Sequence, residues 1–164
     1  MSAAPVGLAV AGVFVLSRLS RYRGFSAIEV MIVLAILGIL AAIAVPNFVE
    51  MQYRAKRAEV PGNIDGIKTS LLAYESAYGE LISEPVPRPD AVPGKQSRAW
   101  RNGSRFDTLG WTPEGEVRGS YVIQASGKSF QIRGFCDVDG DGARAVFTAT
   151  RSTNAVQTTP VTSY

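Results

Sequence analysis

The sequence predicts an α+β protein in which a long N-terminal α-helix packs on a small antiparallel β-sheet. Three observations support this prediction. Residues 30–45 form an uninterrupted apolar run, residues 64–78 place apolar side chains at helical spacing, and segments after residue 120 alternate apolar with polar side chains. The 164 residues allow one small globular domain in addition to such a helix.

The apolar run is long enough to cross a membrane as a helix. From Phe25 to Pro46 it covers about 22 residues, or roughly 33 Å of helix. Glu29 interrupts it, and because an unpaired charge in hydrocarbon costs at least about 2.5 kcal/mol, we expect this carboxylate to have a function. Arginines at positions 18, 21 and 23 precede the run, so the positive-inside rule places the following domain outside the cytoplasm.

The order of residues at the start of this run is specific. At residues 23–30, RGFSAIEV, a basic residue, Gly and Phe are consecutive, and Glu follows four residues after the Phe. The apolar stretch MIVLAILGILAAIAVPNF comes next, at residues 31–48. This segment resembles the N-terminus of the type IV pilin and pseudopilin family, and the resemblance continues less tightly to about Tyr78. It implies that a prepilin peptidase cuts between Gly24 and Phe25 and methylates the new amino group of Phe25. It also implies that Glu29 neutralises the terminal amine of a neighbouring subunit in a homo-oligomeric helical filament.

Beyond Pro46 the helix is predicted to become amphipathic. Apolar side chains at positions 64, 67, 71, 74 and 78 lie on one helical face, and Gly79 is predicted to end the helix. Pro46, and Pro61 with its neighbour Gly62, are expected to kink or locally unwind the helix because Pro lacks a backbone N–H. The alternative is two separate helices.

The chain is thus predicted to have four segments. They are a prepilin leader (1–24), a transmembrane and filament-core helix (25–46), the amphipathic second half of the helix (47–78) and a globular head (79–164).

The head is predicted to begin with an irregular loop. Residues 80–107 contain several prolines and five cations around Trp100. We interpret the segment as a solvated loop whose Trp100 packs on the domain; the alternative is a patch that binds nucleic acid. The rest of the head is predicted to hold a meander of three or four strands. The clearest strands cover residues 121–125, 129–135 and 145–150, with Phe106, Leu109 and Trp111 as core or a first edge strand, and residues 151–164 as an edge strand or a loose tail.

An acidic, Gly-rich turn is the sharpest motif in the head. Asp137, Asp139 and Asp141 followed by Gly142 fit the first half of a calcium-binding loop, in which alternate carboxylates converge on the ion. The twelfth position of such a loop is Thr148 rather than Glu, and the loop joins strands rather than helices. The two interpretations are therefore a partial Ca²⁺ site and an ordinary acidic turn.

Composition excludes several kinds of enzyme. The chain has no His and one Cys, Cys136, which rules out a Ser-His-Asp triad, a Cys-His dyad, a His-containing zinc site and an internal disulfide. We expect no catalysis, no required cofactor beyond possible Ca²⁺, and a buried Cys136 thiol rather than an intermolecular bridge.

The favoured function is a structural subunit of a type IV pilus, held in the inner membrane with its N-terminus cytoplasmic and then assembled at the cell surface. Its expected partners are copies of itself, the prepilin peptidase, the inner-membrane assembly machinery and, before assembly, membrane lipid. Adhesion, twitching motility and DNA uptake are the possible roles of such a filament. One alternative is a pseudopilin of a type II secretion system, which a calcium loop would favour. The other is a membrane-anchored binding or sensor module.

Overall fold

A computed structural model describes residues 24–164 of the chain. The predicted leader up to residue 23, with Arg18, Arg21 and Arg23, lies outside the described residues. The described residues divide into two compact units, with the boundary between Ala41 and Ala42. In chain order the elements are α1 (Ala27–Arg57), α2 (Glu59–Tyr78), β1 (Glu84–Arg88), β2 (Arg98–Ala99), α3 (Arg105–Thr108), β3 (Glu116–Val117), β4 (Gly119–Ser126), β5 (Ser129–Cys136), β6 (Ala145–Thr150) and β7 (Val156–Gln157).

Helix α1 contains the apolar run. The helical stretch Ala27–Tyr78 includes an 18-residue window of mean hydropathy 2.9, none of it buried within the described part of the chain. By length and composition this helix is able to cross a membrane. An apolar surface of this extent needs lipid or other protein around it, because its exposure to water is unfavourable.

The long helix is irregular at a single residue, Ala58, between α1 and α2. Ala58 keeps helical dihedral angles (φ −62°, ψ −17°), and its N–H donates to the carbonyl of Arg54 at 3.1 Å. Pro61 stands three residues further on. Its ring cannot donate to the carbonyl of Arg57 and crowds it, so the irregularity falls one turn before the proline. Pro46 lies inside α1, which continues past it.

Helix α2 ends where the sequence predicts. Gly79 adopts a left-handed conformation (φ 76°), and its N–H donates to the carbonyl of Glu75 at 2.8 Å. Glycine suits this position because the left-handed region carries little steric cost without a Cβ. Tyr78 is 71% exposed and contacts Tyr74, with 4.5 Å between ring centroids, so the apolar face of α2 leaves the core before its last turn.

The main sheet has five strands in the order β1-β4-β5-β6-β7, and every pair is antiparallel. The three strands predicted from alternation are confirmed as β4, β5 and β6. A tight turn at Gly127, with φ 57°, joins β4 to β5 and pairs Ser126 with Ser129. Helix α2 packs on β5 and β6, which confirms the predicted α+β class.

A glycine in β5 sets how closely α2 approaches the sheet. Val60, Ile64, Ile67 and Leu71 on α2 are fully buried. A Cβ placed on Gly134 would lie 2.8 Å from both Val60 Cγ1 and Ile64 Cδ1. Only a residue without a side chain allows this contact between helix and strand, and the close packing is the centre of the core.

The prediction that residues 80–107 form an irregular loop is wrong in part. Strand β1 pairs with β4, the short strand β2 pairs with β3, and α3 follows. Pro85 and Pro87 are compatible with β1 because it is an edge strand, where a missing N–H on the outer side breaks no ladder bond. The charges and prolines of this segment are typical of a loop, so the sequence did not predict the strand at the sheet edge.

The aromatic residues of this region form part of the core. The Trp100 ring centroid lies 5.5 Å from that of Phe106, 5.3 Å from that of Trp111 and 6.3 Å from that of Tyr121. Phe106, Leu109 and Trp111 are buried, as one of the two interpretations predicted. The alternative of an edge strand is wrong, because Phe106 belongs to the helical turn α3.

Candidate functional site

The predicted processing junction lies ahead of α1. Gly24, Phe25 and Ser26 precede the first helical residue, Ala27, and have no regular secondary structure. Gly24 is exposed and Phe25 is 83% exposed. A non-helical, exposed peptide bond is accessible to a peptidase, because its backbone groups are not engaged in a helical ladder.

Ser26 and Glu29 form a capping box at the start of α1. The N–H of Ser26 donates to Glu29 Oε2 at 3.0 Å, and the N–H of Glu29 donates to Ser26 Oγ at 3.3 Å. These bonds satisfy two donors that a helix start otherwise leaves free. The sequence carries the corresponding signal, S-x-x-E, at residues 26–29.

Glu29 has no cationic partner among residues 24–164. The ion pairs in this part of the chain are Glu50 with Arg54 and Glu75 with Arg151. Apolar, exposed side chains lie close to Glu29 in the sequence, including Phe25 and Ile28. The carboxylate therefore caps its own helix and stands in a largely apolar surface with its charge uncompensated.

The acidic loop between β5 and β6 brings its three carboxylates together. One oxygen from each of Asp137, Asp139 and Asp141 lies within 4.8 Å of the others. Gly140 and Gly142 have φ 69° and 88°, a region that favours glycine. Asp137 stabilises this turn by accepting from the N–H of Gly140 at 2.8 Å and from that of Gly142 at 3.2 Å.

Asp139 differs from its two neighbours. Its Oδ1 is buried and has no hydrogen-bond partner within the described residues. Asp141, by contrast, accepts from the N–H of Ala143 at 2.7 Å. Desolvation raises the pKa of Asp139, with the Asp141 charge as a further contribution. Because a buried carboxylate oxygen without a donor is costly, a cation at this point would stabilise the loop, and the residues present fit Ca²⁺.

Cys136 precedes the loop at the end of β5. It is fully buried, and burial raises the pKa of its thiol to about 12. The predicted buried thiol is confirmed. A thiol in this environment remains protonated and is a poor nucleophile.

Residues 158–164 pack against the last turns of α1, a contact that no sequence pattern indicated. Tyr164 is 9% exposed, and its hydroxyl donates to Glu50 Oε1 at 2.8 Å. Its ring centroid lies 5.7 Å from that of Tyr53 and 4.8 Å from the Arg57 guanidinium carbon. The tail predicted as an edge strand or a loose segment is therefore an edge strand, β7, followed by an anchored segment.

Arg57 holds this segment in place. Its guanidinium donates to the carbonyl of Val161 at 3.0 Å and also to the carbonyl of Ser163. The carbonyl of Tyr164 in turn accepts from the N–H of Val138 at 3.0 Å. Helix α1, residues 158–164 and the acidic loop are thus linked by hydrogen bonds, which makes the segment an anchor for the loop.

Comparison with known proteins agrees with this arrangement. The family described as the prokaryotic N-terminal methylation motif matches residues 19–45. The chain is 35% identical over 118 residues to the type IV major pilin protein PilA of Myxococcus xanthus, which covers 72% of this chain and 44% of that protein. It is 30% identical over 80 residues to the type II secretion system core protein G of Dickeya chrysanthemi, covering 43% of this chain and 52% of that one.

A shorter match is to a fimbrial protein of Moraxella nonliquefaciens, 47% identical over 53 residues, covering 32% of this chain and 34% of that protein. The chain thus spans about half the length, or less, of these relatives. No solved structure matches the chain significantly.

A membrane-length apolar helix with a methylation motif at its start, followed by an α+β head, defines a helix-anchored structural subunit. The chain carries the N-terminal methylation motif and is similar to type IV pilins and to pseudopilins of type II secretion systems. Type IV pilins and pseudopilins are structural subunits rather than enzymes.

Proposed function

We propose that this chain is a structural subunit of a type IV pilus. It is inserted in the inner membrane by α1, cut after Gly24 by a prepilin peptidase, methylated at Phe25 and polymerised into an extracellular filament. The single observation that carries the proposal is the exposed apolar surface of α1, which begins directly after an exposed Gly24–Phe25 junction within the methylation motif.

The physical basis is that the exposed apolar surface of α1 is stable in lipid and also against other subunits. Lipid solvates the exposed side chains of α1 before assembly, and the helices of other subunits replace the lipid in a filament core. Cleavage adds an ammonium group at Phe25, and pairing it with a Glu29 of a neighbouring subunit offsets the desolvation of both charges. The inner-membrane assembly machinery supplies the work of extraction from lipid.

The extent of one match supports the proposal of a pilus subunit. The match to the pilin of Myxococcus xanthus covers 72% of this chain, whereas the match to the secretion protein of Dickeya chrysanthemi covers 43%.

Two measurements test the proposal. Mass spectrometry of the chain from membranes of the producing cell should show an N-terminus at methylated Phe25. Electron microscopy of fractions sheared from the cell surface should show filaments that contain the chain. An intact Gly24–Phe25 bond would contradict the filament function and favour a membrane-anchored binding or sensor module.

A pseudopilin of a type II secretion system is the second candidate, and the geometry of the acidic loop is the observation that favours it. Deletion of the gene distinguishes the two functions. Loss of surface filaments with normal export of secreted enzymes supports the pilus, and the reverse result supports the pseudopilus. The same deletion strain shows whether adhesion, twitching motility or DNA uptake depends on the filament.

We also propose that the loop of Asp137, Asp139 and Asp141 binds Ca²⁺ and that bound Ca²⁺ stabilises the head. The support is the convergence of three carboxylate oxygens and the unpartnered Oδ1 of Asp139. Calcium at 100 times its dissociation constant would add about 2.7 kcal/mol to the unfolding free energy.

Thermal unfolding of the full chain in detergent, with and without Ca²⁺, measures this gain. D139N should abolish the calcium-dependent shift. E114Q, which removes an exposed carboxylate elsewhere on the head, should preserve it. An equal shift in D139N, or no shift in the unsubstituted chain, would identify the loop as an ordinary acidic turn.

A further inference from the structure

A pocket of about 590 Å³ opens on the head at the end of β1 and along β2. Its volume lies within the range of small-molecule sites in proteins. The side chains that line it include three arginines, one aspartate and one tryptophan: Arg88, Asp90, Arg98, Trp100 and Arg101. The pocket lies entirely within the head and is separate from both the N-terminal segment and the acidic loop.

The lining of the pocket is cationic. Arg88, Arg98 and Arg101 share the lining with a single carboxylate, that of Asp90, whose Oδ1 already accepts from the N–H of Ala91 at 3.1 Å. The ion pairs among residues 24–164 involve none of these arginines. Three guanidinium groups gathered without carboxylate partners create a positive potential that attracts anions.

Two hydrogen-bond donors of the lining lack acceptors. Arg88 Nε and Trp100 Nε1 are both buried, and neither has a partner within the described residues. Buried donors are almost always satisfied in folded proteins, because an unpaired one retains its full desolvation cost. Guanidinium and indole N–H groups only donate, so the missing partner has to be an acceptor.

We propose that this pocket binds an oxyanion, namely a phosphate or carboxylate group on a small ligand. The planar guanidinium presents paired N–H groups that match both kinds of oxyanion in a bidentate geometry. This would give the head a ligand-binding function beyond its structural role, and it holds for a pilus and a pseudopilus subunit alike.

The position of Trp100 favours a small anion over a strand of nucleic acid. Binding of single strands relies on aromatic faces that are free to stack with bases. Trp100 instead packs edge-on in the aromatic core, at interplanar angles of 90° to Trp111 and 73° to Phe106. Its indole N–H is thus held as a fixed donor, while its ring is part of the core.

Nuclear magnetic resonance of the full chain in detergent micelles tests the proposal. The chain has two tryptophans, so its spectrum contains two indole N–H signals. A Cβ built on Gly66 would lie 2.9 Å from Trp111 Nε1, so a nuclear Overhauser contact with Gly66 identifies the Trp111 signal and leaves the other to Trp100. The chain is titrated with inorganic phosphate and, separately, with citrate, against chloride at equal ionic strength.

A saturable shift of the Trp100 signal, with that of Trp111 unmoved, is expected from phosphate, from citrate or from both. Which probe acts identifies the oxyanion. R98Q/R101Q should weaken binding about tenfold or more, a loss of about 1.4 kcal/mol or more. The matched control K128Q/R144Q removes the same charge from exposed positions outside the pocket and should bind as the unsubstituted chain does.

Three results would overturn the proposal. They are no saturable shift with either anion, an equal shift with chloride, and an equal loss of affinity in both double variants. The last two would reduce the effect to general charge screening.

Discussion

Replacing Glu29 separates the helix cap that the structure shows from the charge pairing that we propose. Glu29 caps α1 through the two bonds with Ser26, at 3.0 and 3.3 Å, and it has no cation partner among residues 24–164. E29Q keeps an oxygen that can accept from the Ser26 N–H but removes the charge. S26A removes the hydroxyl that the Glu29 N–H uses but keeps the charge. E29A removes both.

The expected magnitudes differ between these variants. A capping residue contributes about 0.5–2 kcal/mol to a helix, so S26A weakens the start of α1 only modestly. If Glu29 pairs with a neighbouring Phe25 amine, E29Q leaves an ammonium unpaired in an apolar environment at a cost of at least about 2.5 kcal/mol. This corresponds to about a sixtyfold or greater loss in the assembly equilibrium for each subunit.

The assay compares sheared filaments with the membrane-held chain by immunoblot and electron microscopy. Mass spectrometry first checks that every variant is cut at Gly24. We expect abundant filaments from S26A and few from E29Q or E29A, with all variants present in the membrane. Filaments from E29Q at the level of the unsubstituted chain would refute charge pairing. Loss of filaments in S26A alone would show that the helix cap is what assembly requires.

Three further predictions concern the head, each measured on the full chain in detergent. G134A should lower the unfolding free energy by about 1–3 kcal/mol in thermal or denaturant unfolding, because its methyl group would overlap α2; an unchanged stability would show that the helix can shift. Y164A should lower the unfolding free energy by about 3 kcal/mol, since it removes a buried ring packed on Tyr53 and Arg57. A loss no larger than that of T112A, an exposed substitution elsewhere on the head, would show that the segment is not an anchor. The Cys136 thiol should react with a thiol reagent only after denaturation, because it is fully buried, and rapid labelling of the native chain would contradict its position.

Local sequence patterns predicted the elements that depend on local physics. The length and hydropathy of the run from Phe25 to Pro46 require an apolar environment whatever the rest of the chain does. Alternation predicted β4, β5 and β6, and Gly79 predicted the end of α2, because a strand face and a left-handed cap are both encoded by neighbouring residues.

Sequence patterns failed where a feature depends on distant partners. Strand β1 was not predicted because its prolines are typical of loops. They are compatible with strand pairing only because β1 lies at the edge of the sheet. The capping box of Ser26 and Glu29 is different, because its S-x-x-E pattern is local. It was not predicted because Glu29 was interpreted as a charge within a membrane span.

The sequence by itself determined the apolar helix of membrane-spanning length and the resemblance to pilins, because the order of residues 23–30 and the hydropathy of the following run are local properties. Only the tertiary structure decided where long-range contacts meet. It placed Tyr164 against Glu50 and gathered Arg88, Arg98 and Arg101 around one pocket. These residues are far apart in the chain or carry no periodic signal, so their juxtaposition follows from the packing of the sheet and helices rather than from any segment alone.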